Sequence, residues 1–247
     1  MSGRFSRAVT AVGIRGSAGV AAAGLVLLGS AGCSVVQKIN DIRHAVDANR
    51  QVIQTFTQGL KNSKAIPFQV TYVTTGTSPT TVVYAVRPPK DISFKETSAA
   101  GGGASDVNLV ANASGEFTCS QPTQGAQFQC VKLGNASAVA QNQLFAIYTP
   151  SHWVTFLEAF SIAAGVAGDK VTTSNMTVNG FSLSCVNFKT KNVAGTSTIC
   201  TTSQGILGYV KVASQPTSFE IKGYSATPPA SAFQLPAGAK ITTGNGG

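Results

Sequence analysis

The spacing of the apolar residues changes near Pro67. Before it, they recur every three or four positions, at Val35, Ile39, Ile42, Val46, Ile53, Phe56 and Leu60. This series places one apolar stripe along a helix, and Asn49 fills its single gap. The helix either packs on a sheet of its own chain or pairs with another helix. The scarcity of charges beside the stripe favours packing on the chain's own sheet.

Beyond Pro67, apolar residues alternate with polar ones, which is typical of half-buried strands. Eleven stretches alternate in this way: Phe68/Val70/Tyr72, Val82/Tyr84/Val86, Ile92/Phe94, Val107/Leu109/Ala111, Phe117/Cys119, Phe128/Cys130, Met176/Val178, Phe181/Leu183/Cys185, Thr198/Cys200, Leu207/Tyr209 and Phe219/Ile221. Prolines and glycines punctuate these stretches, including Pro88-Pro89. The pattern predicts about eleven strands.

A second helix is predicted between the sixth and the seventh strand. Thr149 suits its N-cap, and Pro150 suits its first position, where a missing N–H costs nothing. Its apolar positions are Trp153, Phe156, Leu157, Phe160 and Ala163. A helix this apolar must be largely covered by the rest of the chain. Two helices and about eleven strands together predict the α+β class.

The first 32 residues have the order of an export signal. Arg4, Arg7 and Arg15 precede or flank a short apolar run over residues 17–28, and small residues follow that run. The run is too short to span a bilayer. We therefore expect residues 1–32 to be removed, and residues 33–247 to form a single extracytoplasmic domain.

Four cysteines lie beyond Cys33, an even number that favours disulfides in an exported chain. Cys119 and Cys130 bracket one turn signal, and Cys185 and Cys200 bracket another. Each pair would then face across a hairpin, so we expect these two pairs to be the bridges. The chain has no Cys-x-x-Cys motif, and a metal site is not expected.

The charged residues indicate no further chemistry. The chain has 18 basic and nine acidic residues, a net charge of +9, but they are scattered and form no nucleic-acid footprint. The acidic residues show no close pair suited to acid/base catalysis or metal binding. Enzymatic activity and a cofactor are not expected; an enzyme would need a polar cleft near His152.

Several features together resemble one family. Cys33 directly follows Ala31-Gly32, as in bacterial lipoprotein signals, and the chain ends with Phe-Gln-Leu-Pro-Ala-Gly-Ala-Lys-Ile over residues 233–241. With the order of helices and strands, these features resemble the LolA-like lipoprotein-carrier superfamily, most of all its LppX/LprG-type lipoproteins of high-GC Gram-positive bacteria. The resemblance implies that Cys33 is acylated, with palmitate a typical chain, and anchors the protein to the outer face of the cell membrane.

The resemblance also implies a fold and a ligand. The fold is a single curved antiparallel sheet, an incomplete barrel, whose concave face is covered by helices and holds lipid acyl chains. Candidate pocket residues, from the two helical stripes, are Ile42, Val46, Ile53, Phe56, Trp153, Phe156, Leu157 and Phe160. We expect a monomer that binds a lipid or glycolipid. The alternative is an anchored structural or signalling domain with a solid core and no ligand.

Overall fold

The computed structural model describes residues 32–76, 79–98, 106–121, 123, 125–133, 143–167, 170–190 and 193–243. Within these ranges it leaves out the side chains of residues 32–43, 45, 46, 48, 143, 144, 161–167 and 170. The α-helices in this part of the chain are α1 Gly32–Asn62, α2 Gln143–Ala146 and α3 Pro150–Ala167. Two short 3-10 helices span Ser63–Ala65 and Ala230–Phe233.

Twelve strands are present among the described residues: β1 Phe68–Thr74, β2 Thr80–Arg87, β3 Asp91–Ser98, β4 Val107–Asn112, β5 Gly115–Ser120, β6 Gln129–Lys132, β7 Lys170–Val178, β8 Phe181–Lys189, β9 Ser197–Thr201, β10 Leu207–Lys211, β11 Ser218–Ser225 and β12 Lys240–Thr243. They form one sheet in the order β12-β6-β5-β4-β3-β2-β1-β11-β10-β9-β8-β7. The sheet is not closed, since β12 and β7 lie at its two ends.

The sheet consists of two antiparallel meanders joined in the middle. Strands β1 to β6 form one meander, and β7 to β11 form the other. The junction is the antiparallel pairing of β1 with β11, in which Gln69 lies opposite Ser225. Consecutive strands are therefore neighbours throughout both meanders, and the junction joins parts of the sequence that are far apart.

The expectation of a purely antiparallel sheet of about eleven strands is wrong for one strand. β12 pairs with β6 in parallel, with Lys240 opposite Gln129 and Thr243 opposite Lys132, so the sheet is mixed. The reason is topological. β11 already has strand partners on both sides, so β12 can pair only at a free edge of the sheet, and it does so beside β6. The 12 strands and the helices still give the predicted α+β class.

The chain beyond β11 crosses the sheet as a C-terminal strap, which we define as residues 226–239. Ala232 and Phe233 of the strap pack on Ala85 of β2. Leu235 and Ala239 pack beside the Cys119–Cys130 disulfide, with Phe117 in the same cluster. The strap therefore covers a second face of the first meander with small apolar clusters.

The main core lies on the other face of the sheet, between the strands and the helices. Its buried residues come from α1, α3 and both meanders, including Ile53, Leu60, Leu157, Phe94 and Ile199. In β2, Val82, Tyr84 and Val86 belong to this core, whereas Ala85 contacts the strap. This alternation along a strand is the period that the sequence predicted.

Helix α1 packs within its own chain over its second half. Asn49, Ile53 and Leu60 are buried, and Lys61 Nζ of α1 lies 2.7 Å from Glu158 Oε1 of α3. The last turns of α1 also touch the loop before β10. A Cβ atom at Gly205 would collide with the backbone carbonyl of Gly59, and the φ of +77° at Gly205 favours glycine as well.

Candidate ligand-binding clefts

An aromatic column fills the space between α2 and strands β1 to β3. Phe68, Tyr84, Phe94 and Phe145 follow one another, with successive ring centroids 5.3, 4.3 and 4.7 Å apart. All four side chains are buried, and this burial raises the pKa of the Tyr84 hydroxyl. Offset and edge contacts of this kind give tight packing, so this part of the interior is occupied by the protein's own side chains.

A second aromatic group extends this packing toward α3. Tyr148 stacks on Tyr72, with centroids 5.5 Å apart, and contacts Phe219 at 5.0 Å. Burial, and secondarily the charge of Glu96, raises the pKa of Tyr148 to about 12. Trp153 Nε1 donates a hydrogen bond of 2.6 Å to the carbonyl oxygen of Ile147. The start of α3 is thereby fixed over a packed interior.

The candidate pocket residues have different environments in the structure. Ile53, Trp153 and Leu157 are buried in the main core, Phe56 and Phe160 pack partly buried against it, and Phe156 is exposed. The side chains of Ile42 and Val46 lie outside the described residues. Phe160 and Phe156 both contact the ring of Phe188, at 4.7 and 5.8 Å.

A largely apolar cleft of about 730 Å³, here named the α3 cleft, lies between α3 and strands β3 to β5. Its lining residues are Lys90, Ile92, Ala111, Glu116, Ala146, Thr149, Ser151, His152, Thr155, Phe156 and Ala159. Ile92 and Ala111 face each other across β3 and β4 and form the floor. Phe156 leaves 36% of its surface exposed here, so part of its ring is accessible from the cleft.

The charged groups of the α3 cleft are few. Lys90 and Glu116 belong to the β-strand side, and His152 belongs to the first turns of α3. Partial burial lowers the pKa of His152 below 6.5, which leaves its ring neutral at pH 7. A smaller cavity of about 230 Å³ shares Lys90 and Ile92 with the cleft and adds Lys64 to its lining. Asp91 lines the smaller cavity as well, so both basic and acidic groups lie where the two depressions adjoin.

His152, near which an enzyme would need a polar cleft, lies in the wall of the largely apolar α3 cleft. Glu158, six residues further along α3, forms an ion pair with Lys61 of α1. The ring of His152 lies edge to face against Trp153, with centroids 5.1 Å apart. Among the described residues, no group of three or more His, Cys, Asp and Glu side chains is placed to hold a metal ion.

A second depression of about 640 Å³, here named the α1 groove, lies between α1 and strands β7 to β9. Its lining residues are Gln51, Val52, Thr55, Phe56, Gly59, Thr173, Ser174, Asn175, Ser184, Cys185, Thr201, Thr202, Ser203 and Gly205. The α1 groove differs from the α3 cleft in composition, since nine of these side chains carry a hydroxyl or an amide and none is charged.

Both expected disulfides are present. Cys119 is bonded to Cys130 and Cys185 to Cys200, and the partners of each pair lie directly opposite each other on neighbouring strands. Cys33 lies in the first turn of α1, and its side chain is outside the described residues. In the part of the chain that is described, no helix combines the length and the apolar character needed to cross a membrane.

The floor of the α3 cleft was not among the candidate pocket residues. Ile92 and Ala111 appear in the sequence as ordinary inward positions of strands, and nothing in their alternation separates a cleft floor from a core. The hydroxyl-rich α1 groove was also missed; its signals are the run Thr-Thr-Ser-Asn over residues 172–175 and the run Thr-Thr-Ser over residues 201–203. No protein-family model and no curated protein sequence matches this chain.

Proposed function

We propose that this protein is a membrane-anchored extracytoplasmic lipoprotein that binds the acyl chain of a lipid in the α3 cleft. The supporting observation is the apolar cleft of about 730 Å³ beside the exposed ring of Phe156. Small-molecule pockets have volumes of roughly 300–1,000 Å³ and mostly apolar linings. An acyl chain has no polar groups to satisfy, so a lining of Ile92, Ala111, Phe156 and Ala159 suits it.

A curved sheet with the helices on its concave side is part of this proposal. Phe156 lines the cleft with Ile92 of β3, and its ring also contacts Phe188 of β8. These two strands are six positions apart in the sheet, which in a flat sheet would separate them by about 29 Å. One side chain reaching both supports a sheet that curls around α3 as an incomplete barrel.

Acylation of Cys33 supplies the membrane attachment in this proposal. Cys33 follows a basic, apolar and small-residue leader in that order, and two acyl chains are enough for stable anchoring. The LolA-like resemblance of the sequence agrees with this attachment and with a lipid ligand, and carriage of the lipid between membrane and envelope would follow from it.

Lipid titration followed by Trp153 fluorescence tests the function. Trp153 is the only tryptophan of the chain, and its ring lies 5.6 Å from that of Phe156 in the cleft wall. We expect palmitate and dipalmitoyl phosphatidylglycerol to change the emission of the delipidated protein in a saturable way. Ala159→Phe should block this change, because its ring would occupy the cleft.

Ala237→Phe is the matched control, since Ala237 is exposed on the strap and outside the cleft. It should bind lipid as the unaltered protein does. The proposal fails if neither lipid changes the emission, or if Ala159→Phe binds as well as Ala237→Phe while both variants remain folded by circular dichroism.

The packed interior favours one second candidate, an anchored scaffold that holds no ligand. The rings of Phe68, Tyr84, Phe94 and Phe145 are in close contact with one another and leave no space for a guest between them. Under this alternative, native mass spectrometry of gently extracted protein finds only the polypeptide with its anchor, whereas the lipid-binding proposal expects an additional bound lipid.

A further inference from the structure

The two sides of α1 have different chemistry along its second half. Arg50, Gln54 and Lys61 line the side that faces Glu158 of α3. Gln51, Thr55 and Gly59 lie one helical turn apart on the side that faces the α1 groove. Arg50 and Lys61, the charged side chains of residues 50–62, therefore lie away from the groove, although the chain carries a net charge of +9.

The floor of the groove continues this uncharged, polar character. Asn175 of β7 and Ser184 of β8 form a cross-strand pair, and both are exposed to the groove. Thr202 lies on the opposite wall, where its Oγ1 accepts a hydrogen bond from the N–H of Ile206 at 3.3 Å. A hydroxyl has one donor and two acceptor positions, so Thr202 Oγ1 keeps hydrogen-bonding capacity for a ligand.

The apolar part of the groove is a strip on α1. Phe56 and Val52 are partly buried and lie one turn apart on the helix. Gly59 closes one end, where it meets Gly205 backbone to backbone. The groove thus combines an aromatic and an aliphatic surface with convergent hydroxyl and amide groups, and its volume of about 640 Å³ is that of a small-molecule site.

We infer that the α1 groove binds a neutral glycan. Each hydroxyl of a sugar both donates and accepts hydrogen bonds, and Ser, Thr, Asn and Gln side chains can complement both roles. The C–H faces of a sugar ring are apolar and can pack on Phe56. An anionic ligand would find no cation in this lining, and an acyl chain would offer no hydrogen bond to any of its nine polar side chains. This inference concerns a site separate from the α3 cleft.

Binding of neutral trisaccharides to the full chain tests the inference. The protein is extracted in a detergent without a sugar headgroup and titrated with mannotriose, cellotriose, chitotriose and maltotriose, using isothermal titration calorimetry and saturation-transfer NMR. We expect saturable binding of at least one of the four, and none of trigalacturonate, which is acidic. Asn175→Ala combined with Ser184→Ala should weaken the affinity about tenfold, because two hydrogen-bonding groups are lost.

The matched control is Thr177→Ala combined with Ser182→Ala. These residues form the next cross-strand pair on the same side of the same hairpin, and both are exposed outside the groove. The affinity of this control variant for the trisaccharide should equal that of the unaltered protein. The inference is overturned if no neutral trisaccharide binds, if both double variants bind equally, or if the groove binds an uncharged extended peptide along β7 and none of the sugars.

A further experiment shows whether the glycan is free or is the headgroup of a glycolipid. The trisaccharide that binds is presented again as the headgroup of a diacylglycerol in bicelles. Equal affinity for the free and lipid-linked forms assigns the groove to a free or polymeric glycan. Tighter binding of the lipid-linked form, lost in Ala159→Phe, assigns it to a glycolipid whose acyl chain occupies the α3 cleft. Either outcome supports a glycan site in the α1 groove. If the α3 cleft binds no lipid, the binding of free trisaccharides to the α1 groove is unaffected.

Discussion

The ring centroids of Phe156 and Phe188 lie 5.8 Å apart, although Phe156 belongs to a cleft whose floor is formed by β3 and β4. Phe188 is buried on β8, in the other meander. The contact therefore joins α3 to the second meander, while the same phenylalanine lines a cleft over the first.

A double-mutant cycle measures this link. Phe188→Ala should lower the free energy of unfolding by about 3 kcal/mol, as for other buried phenylalanines. Phe156→Ala should cost less, because the side chain is partly exposed. We expect a coupling energy of about 0.5–1.5 kcal/mol between them in urea denaturation.

Ile241→Ala, at an exposed position, is the control and should change stability little. If the unfolding free energies lost in the two phenylalanine variants simply add in the double variant, the contact is contradicted.

Removal of the Cys185–Cys200 bridge should destabilise the protein. The bridge joins residues 15 apart in sequence, and closing a loop of that size contributes about 3 kcal/mol in the chain-entropy model. Cys185→Ala combined with Cys200→Ala should lower the unfolding midpoint accordingly. A peptide map without reduction checks the pairing, and a fragment joining Cys119 to Cys185 or Cys200 would rule out the register of both hairpins.

Helix α1 can be tested as a part of its own domain. Ile53 is 1% exposed, so Ile53→Lys buries an unpaired charge and should unfold the protein. Arg50→Ala, at an exposed position of the same helix, should leave it folded and monomeric in sedimentation. If the unaltered protein sediments as a dimer and Ile53→Lys yields a folded monomer, α1 forms an intermolecular coiled coil instead.

Membrane association should depend on Cys33. Cys33→Ala removes the thiol that receives the lipid, so the protein should appear in the soluble fraction or as uncleaved precursor. Cys33→Ser serves as a second variant of nearly the same size. Normal cleavage together with unchanged membrane association in either variant would refute the lipoprotein proposal.

Glu96 should make stability fall as the pH rises. Partial burial raises the pKa of its carboxyl above 4.5, so the folded state binds the proton more tightly than the unfolded state does. Linkage then requires stability to decrease through the pH range just above 4.5. Glu96→Gln should raise the melting temperature at pH 7 and have little effect at pH 4. An equal shift at both values would show that ionisation of Glu96 is not the cause.

The strands were predictable because apolar and polar residues alternate along them, and the apolar residues are the ones that become buried. Phe68, Val70 and Tyr72, for example, are all buried in β1, as their spacing indicates. β12 escaped prediction because its only apolar residue is Ile241 and all four of its residues are exposed. β12 pairs with the free edge of β6, and no local sequence pattern indicates which edge a short exposed strand will join. Helix α2 was missed because four residues are too few for a helical period.

The cleft was harder to predict than the fold. Trp153, Phe156 and Leu157 form one apolar face of α3 in sequence, yet Phe156 lines a cleft and the other two are core. The distinction depends on which strand side chains lie beneath each part of the helix. Contacts such as that between Phe156 and Phe188 join residues that are distant in sequence and carry no shared signal.

The β1–β11 junction has a consequence for the order of folding. Because Gln69 must meet Ser225 before the two meanders become one sheet, the sheet cannot form until β11 has been synthesised. Pairings between such distant segments also form slowly. The newly made chain therefore spends a period with two unjoined hairpin arrays whose edges are exposed to self-association.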